Sequence, residues 1–351
     1  VSAKLARLGA EVQMVNPASP PDKPGQPVAF APGAPQVLDQ SGSCSRPWTA
    51  ADRLPDKGVS PLLAGTDFPE VGRIYYRSGV DTNHCSFTLL SRRWAVTALH
   101  CLRDTAMPTN APQIVEDFQS PASLNRMGFF LSPDGATPLQ SITSCFDNLP
   151  GHNSKACPLH RIEVLRALFK KPVIWTGSEK GSPLPQSDLT LLELKSTSLP
   201  EPVRSAAWGG APVASAPKTL VASGMTTDKK KDAGYELQVG YIPGGQLSVD
   251  LDPHSRVFTW KNPSDGVGTA VCPSDSGGAV FDGWEDGQCR CTKGRPIIAP
   301  QRSLFAVVSY RRSTENKAGC VRESTSAAVV LSEHREWICQ QAPDLDACQS
   351  R

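Results

Sequence analysis

Three short stretches of this chain hold residue types that could do covalent chemistry together. The first is Ala95-Val96-Thr97-Ala98-Leu99-His100-Cys101, an apolar run ending in a histidine. The second is Ser187-Asp188-Leu189-Thr190-Leu191-Leu192-Glu193-Leu194, an aspartate leading an apolar strand. The third is Cys272-Pro273-Ser274-Asp275-Ser276-Gly277-Gly278. A serine hydroxyl is a poor nucleophile at its free pKa and needs a base within hydrogen-bond reach. Histidine titrates near neutrality and suits that task. A buried carboxylate fixes the tautomer of such a histidine and supports the imidazolium that forms. Two glycines after a serine allow a tight turn and leave room for substrate. Taken singly, the stretches read as a packed strand end, a turn former and a turn. Their conjunction points to acyl transfer by a serine.

The same stretches resemble the chymotrypsin/trypsin-like serine endopeptidases. The order His, Asp, Ser matches that family, and Ala98-Leu99-His100-Cys101 is similar to its Ala-Ala-His-Cys signature. Asp275-Ser276-Gly277-Gly278 matches its Asp-Ser-Gly-Gly. Val307-Val308-Ser309-Tyr310 looks like the strand that binds substrate backbone, and Glu336-Trp337-Ile338 like the closing helix. The resemblance covers roughly Asp67 to Cys339. It implies an all-β fold of two six-stranded antiparallel β-barrels with a C-terminal helix. It makes His100 the general base, Asp188 its orienter and Ser276 the nucleophile, with the N–H groups of Ser274 and Ser276 as the oxyanion hole. Ala270, Val271, Ser309, Tyr310, Arg311 and Ser326 fall near the substrate. Cys85–Cys101 and Cys272–Cys320 follow as disulfides, and Asp275 as the partner of a new α-ammonium group in a zymogen, or of an internal arginine. A protein or peptide is the implied substrate, with no cofactor.

Several positions depart from the family pattern. Ser274 stands where a glycine is usual, and a non-glycine residue there carries strain or lets the peptide flip. A protease-shaped binding protein with an impaired oxyanion hole is therefore the alternative reading. The interval from His100 to Asp188 is longer than usual and carries an insertion. Within it, Cys145, His152, Cys157 and His160 could hold zinc, but in a disulfide-rich chain a Cys145–Cys157 loop is favoured and no metal is expected. Ala270 stands where members with basic specificity carry aspartate. Arg311 could narrow the pocket or attract an acidic side chain, so specificity stays open, leaning to small neutral residues.

These groups must be positioned by short strands. The apolar runs at 94–96, 189–194 and 305–308 are bounded by Gly, Pro, Ser and Asp, as in an all-β protein with many turns. Strands are expected at 72–76, 86–90, 94–97, 188–194, 219–222, 235–239, 257–260, 279–281, 304–309 and 327–331. Helices are expected around Ile162 to Lys170 and over Ser332 to Gln341. The chain divides into a Pro-rich N-terminal segment or propeptide (1–45), a protease domain (46–341, barrels about 67–200 and 201–331) and a tail (342–351). Leu62-Leu63-Ala64-Gly65-Thr66-Asp67 is similar to the family's mature start, so removal of the residues before about Leu62 would be the corresponding activation step.

The 351 residues suffice for a sizeable core, and 39% hydrophobic with 20% charged residues is ordinary for a globular protein. A net charge of +2 points to neither nucleic acid nor an anionic membrane as partner. No apolar run is long enough for a membrane span, and a monomer is expected. Eleven cysteines suggest disulfides and an oxidising compartment, so a secreted or periplasmic location. Val1 to Ala10 lacks the apolar core of a secretory leader, so export is read from cysteine usage alone. Cys339–Cys348 is a further, local pairing, and Cys44, Cys289 and Cys291 are left over.

Overall fold

A computed structural model of the chain describes residues 68–78, 81–102, 124, 127–131, 159–170, 173–176, 187–199, 205–210, 213–222, 238–242, 244–249, 256–261, 271, 274–283, 302–312 and 325–349. It also describes short strand pieces at 36–38, 44–47, 114–115, 184–185, 291–292 and 295–296. Two large antiparallel sheets dominate. The first is made of β1 (Val71–Ser78), β2 (Asp81–Leu89), β3 (Trp94–Thr97), β4 (Met127–Leu131), β5 (His160–Ile162), β6 (Val164–Phe169) and β7 (Thr190–Leu194). Its order is β5-β4-β1-β2-β3-β7-β6. The end strands β5 and β6 are consecutive in the chain, separated only by Glu163.

The second sheet is made of β8 (Lys218–Ala222), β9 (Gln238–Ile242), β10 (Gln246–Val249), β11 (Arg256–Lys261), β12 (Ala279–Asp282), β13 (Ser303–Arg312) and β14 (Thr325–Val330). Its order is β9-β8-β12-β13-β14-β11-β10, and a two-residue strand, Ala207–Trp208, runs parallel to β13. Again the end strands, β9 and β10, follow one another directly in the chain. Gly245 lies in that bend, where an added Cβ would sit 2.3 Å from the Thr259 carbonyl oxygen. Only glycine lets the backbone pass there.

Side-chain alternation sorts the core into three clusters. Cys85, Phe87 and Leu89 of β2 and Leu192 and Leu194 of β7 point into a cluster belonging to the first sheet. Leu220, Phe258, Val280, Val308 and Ala328 form a second cluster within the second sheet. The opposite faces supply a third. There Val96 and Leu191 from the first sheet join Val221, Ala279 and Val307 from the second. Strands such as β3 and β7 are thus buried on both faces, which accounts for their near-continuous apolar sequences. Full burial of each such side chain contributes about 1.5–3 kcal/mol.

A 3-10 turn (Leu331–His334) leads into α1 (Arg335–Gln341), and a final turn, α2 (Asp346–Gln349), follows. Ile338, Ala342 and Leu345 insert into the cluster shared by the two sheets. The Cys339–Cys348 disulfide closes this end segment, as expected from the sequence. The Trp94 indole N–H donates to the Asp344 carboxylate at 2.7 Å, so the segment reaches back to the first sheet.

One expectation is overturned. Ile162 to Lys170 is not helical; it forms β5 and β6. Its Glu, Leu, Arg, Ala and Lys residues favour a helix locally, but β6 gains a full ladder with β7, from Thr190 opposite Phe169 to Leu194 opposite Val164. Tertiary pairing outweighs propensity differences of a few tenths of a kcal/mol per residue (~0.5). Of the strand expected at 235–239, residues 238 and 239 lie on β9, Gln238–Ile242, and 235–237 lie outside the described residues. No helix among the described residues is long and apolar enough to cross a membrane. The expected Cys145–Cys157 and Cys272–Cys320 pairs, Ala270 and the proposed cleavage near Leu62 lie outside the described residues, as does most of the Pro-rich segment.

Candidate active site

His100 and Asp188 meet because β3 and β7 pair antiparallel. Thr97 lies opposite Thr190, so the residues just after Thr97 and just before Thr190 share one end of the sheet. His100 sits on the 3-10 turn Leu99–Leu102 that ends β3. The Cys85–Cys101 disulfide ties this turn to β2. The His100 backbone N–H donates to Asp188 Oδ1 at 2.9 Å, and His100 Nδ1 lies 2.7 Å from Asp188 Oδ2. An ionised carboxylate only accepts, so Nδ1 carries the proton and Nε2 is left as the basic nitrogen of the neutral ring. The His100 side chain keeps 21% of its surface exposed while that of Asp188 keeps 2%. Asp188 is caged, while the His100 ring is open to solvent on one side.

The Ser276 loop is stitched to both sheets. The Ser86 N–H donates to the Ser276 carbonyl at 2.8 Å, from the first sheet. The Gly277 N–H donates to the Val308 carbonyl at 2.8 Å, in the second. Gly277 has φ +77°, and an added Cβ would lie 2.0 Å from the Ser86 carbonyl oxygen and 2.4 Å from Thr97 Oγ1. Both its conformation and its close packing exclude a side chain. Ser274, two residues before Ser276, has φ 74°, the left-handed region where an L-residue costs roughly 1–2 kcal/mol. Asp275 between them is buried, and its carbonyl accepts the Gly278 N–H.

Ser309 links the two halves of the site. The register of β13 against β14 shifts between Val308 and Tyr310, leaving Ser309 as the extra residue. Such a bulge re-aims a side chain. Here the Ser309 hydroxyl donates to Asp188 Oδ2. The Ser309 carbonyl accepts the Ser276 hydroxyl at 3.4 Å, a long bond that holds the hydroxyl weakly. The three residues expected to act together thus gather around Ser309, with the Ser276 hydroxyl on the Ser309 carbonyl and not on His100.

The electrostatics centre on Asp188. Burial pushes its pKa up, but attraction to the His100 ring in its protonated form and the hydrogen bonds from that ring, Ser309 and the His100 backbone outweigh it and hold the group below its ordinary 3.8. A carboxylate with three donors stays ionised in the interior.

Other expected residues are placed as follows. The Val271 N–H donates to Ser326 Oγ at 3.0 Å, so these two lie side by side, and Ser326 is buried on β14. Tyr310 is half-buried on β13, next to Ser309. Arg311 follows on the same strand, and its side chain is outside the described residues. Of the suspected zinc ligands, His160 lies on β5, where its Nε2–H donates to the Ser198 carbonyl. Cys85, His100 and Cys101 are close enough to suggest a second metal set, but the two sulfurs are joined to each other. Sequence reasoning assigned Ser309 to substrate binding and missed its bond to Asp188. The bulge that aims it has no local sequence signature. No family model matches the chain, and no curated protein matches it in sequence.

Proposed function

We propose that this protein is a serine endopeptidase of the chymotrypsin/trypsin-like class, hydrolysing peptide bonds through an acyl-enzyme on Ser276. The observation that carries the reading is the caged Asp188 carboxylate, which orients His100 through both Nδ1 and the backbone N–H while Ser309 ties it to Ser276. Nothing in the packing of two sheets requires that arrangement.

In the reaction, the Ser276 hydroxyl turns from the Ser309 carbonyl to His100 Nε2. Its oxygen bonds to the substrate carbonyl carbon as Nε2 takes the proton. The tetrahedral intermediate collapses, the C–N bond breaks, and the amine leaves with the proton from Nε2. Water then attacks the ester by the same route, returning Ser276. The N–H groups of Ser274 and Ser276 would receive the oxyanion, each typically worth about 3 kcal/mol in such holes. Ser274 supports the active reading over the impaired one: it keeps a glycine-like φ of 74° despite its side chain, so the strain is borne and not relieved by a peptide flip.

The chain connectivity supports two barrels. Counting β5 with β6 as one bent strand closes the first sheet with six strands, and counting β9 with β10 does the same for the second. The two disulfides among the described residues support an oxidising compartment, secreted or periplasmic, for a monomer acting on protein or peptide substrates. Val271 and Ser326 would line a neutral pocket, favouring small uncharged side chains.

The folded protein is expected to be labelled at Ser276 by a fluorophosphonate and to cleave members of a peptide library. Labelling should vanish in Ser276→Ala. Absence of both labelling and cleavage would leave the binding-protein reading in its place.

A further inference from the structure

We infer that Thr97 is a positioning residue that sets the Ser276 loop against the strand leading to His100. The inference rests on the hydrolase reading for its consequence, and on hydrogen bonds for its mechanism. Thr97 is the last residue of β3 and has no exposed surface. The ladder between β2 and β3 ends one residue earlier, with Val96 opposite Thr88. Past that point the Thr97 hydroxyl takes over and donates to the Ser86 carbonyl at 2.7 Å. The N–H of the same Ser86 donates to the Ser276 carbonyl at 2.8 Å. Ser86 is therefore held through its carbonyl by Thr97 and holds the Ser276 loop through its N–H, both on the same edge of β2.

Gly277 packs directly on this grip, since an added Cβ would strike both the Ser86 carbonyl and Thr97 Oγ1. The Thr97 backbone also pairs with Thr190, two residues after Asp188. One residue thus touches the strand that delivers the base, the strand that delivers its carboxylate, and the peptide that holds the nucleophile loop. His100 and Ser276 come from different sheets, and Thr97 with Ser86 forms a polar tie across that seam. The threonine hydroxyl gives the Ser86 carbonyl a donor just past the end of the β2–β3 ladder. Valine would fill the same volume and make no bond.

The expected result is that Thr97→Val lowers kcat and the rate of Ser276 fluorophosphonate labelling about tenfold to a hundredfold, since a displacement near 1 Å suffices for that. KM should change little, and Thr97→Ser should restore both rates. Rates are taken per folded molecule, from near-UV circular dichroism, so that a loss of fold is not counted as a loss of positioning. Amide exchange gives a readout that needs no activity. The Ser86 and Gly277 N–H groups should exchange faster in Thr97→Val than in the parent chain, and Thr97→Ser should return them to parental protection. If Thr97→Val does not fold, the pair Thr97→Ala and Thr97→Ser carries the same comparison. Unchanged exchange at both amides, or parental labelling in Thr97→Val, would overturn the assignment. Lack of labelling in the parent chain would overturn the hydrolase reading alone, leaving the exchange result to decide on Thr97.

Discussion

At the scale of single residues, Asp188 is the group on which the proposed chemistry turns. It holds His100 through two hydrogen bonds and is itself held by Ser309. Asp188→Asn keeps the shape but presents a mixed donor and acceptor, which favours the wrong tautomer of His100. Its kcat is expected to fall by about 10³–10⁴ with KM little changed, as steady-state kinetics on a peptide ester would show. The lowered pKa also links Asp188 to acid stability. Its contribution is fully present above 3.8 and is lost as the pH falls below that through the lower folded value. That His100, Asp188 and Ser276 would come together was legible in the sequence, because each stands in a recognisable neighbourhood. Ser309 was named there for a different role. A serine in an apolar strand looks like any other until the bulge turns it, and the bulge arises from pairing with β14.

At the scale of elements, the pairing of β1 with β2 ties the stability of the first sheet to pH through a buried histidine. His84 on β2 is 4% exposed and lies 2.7 Å, through Nδ1, from the Arg73 guanidinium on β1, with the Tyr75 ring edge-on at 4.8 Å. Burial, reinforced by the Arg73 charge, pushes its pKa down from 6.5 to about 2. The folded protein keeps this ring neutral while the unfolded chain protonates it. Stability is therefore complete above pH 6.5 and declines as the pH falls from 6.5 towards 2. Between pH 7 and pH 5 the decline should reach about 2 kcal/mol, at 1.4 kcal/mol per unit. His84→Gln, which keeps an acceptor for Arg73, should flatten that part of the profile in urea unfolding; an unchanged slope would assign the sensitivity elsewhere. The same scale shows where sequence reading failed. β3 and β7 announce themselves by apolar runs, since both their faces are buried. β6 does not: Leu165 points outward at 53% exposure, and the mixed polar pattern resembles a helix face. β4, Met127–Leu131, is a short apolar run inside a long polar interval and was not expected as a strand. Its place is set by β1 beside it, and that partner lies some fifty residues earlier in the chain, beyond the reach of local pattern (roughly a 15-residue window).

At the scale of the whole molecule, the two sheets are joined by a shared apolar cluster and closed by the last described segment. α1 and α2, linked through Cys339–Cys348, place Ile338, Ala342 and Leu345 in that cluster. Arg335 donates to the Ala347 carbonyl within the segment. Arg302 and Glu70, both buried, add an ion pair between the start of the first sheet and the second. Replacing both Cys339 and Cys348 with alanine should lower stability by about 2–3 kcal/mol, the range for a short closed loop. Denaturant unfolding under non-reducing conditions checks this, and a loss below 0.5 kcal/mol (about the scatter of surface substitutions) would mean that packing alone holds the segment.

The contact between Trp94 and Asp344 has a consequence in time. The two residues are 250 positions apart, and Trp94 opens the strand that ends at the turn bearing His100. A ribosome adding about 5–20 residues per second delivers Asp344 on the order of ten to fifty seconds after Trp94. Within that interval His100, Asp188 and Ser276 are made in turn, while the segment that places Ile338, Ala342 and Leu345 in the shared cluster is still to come. The cluster shared by the two sheets is therefore completed only after all three of those residues have been made.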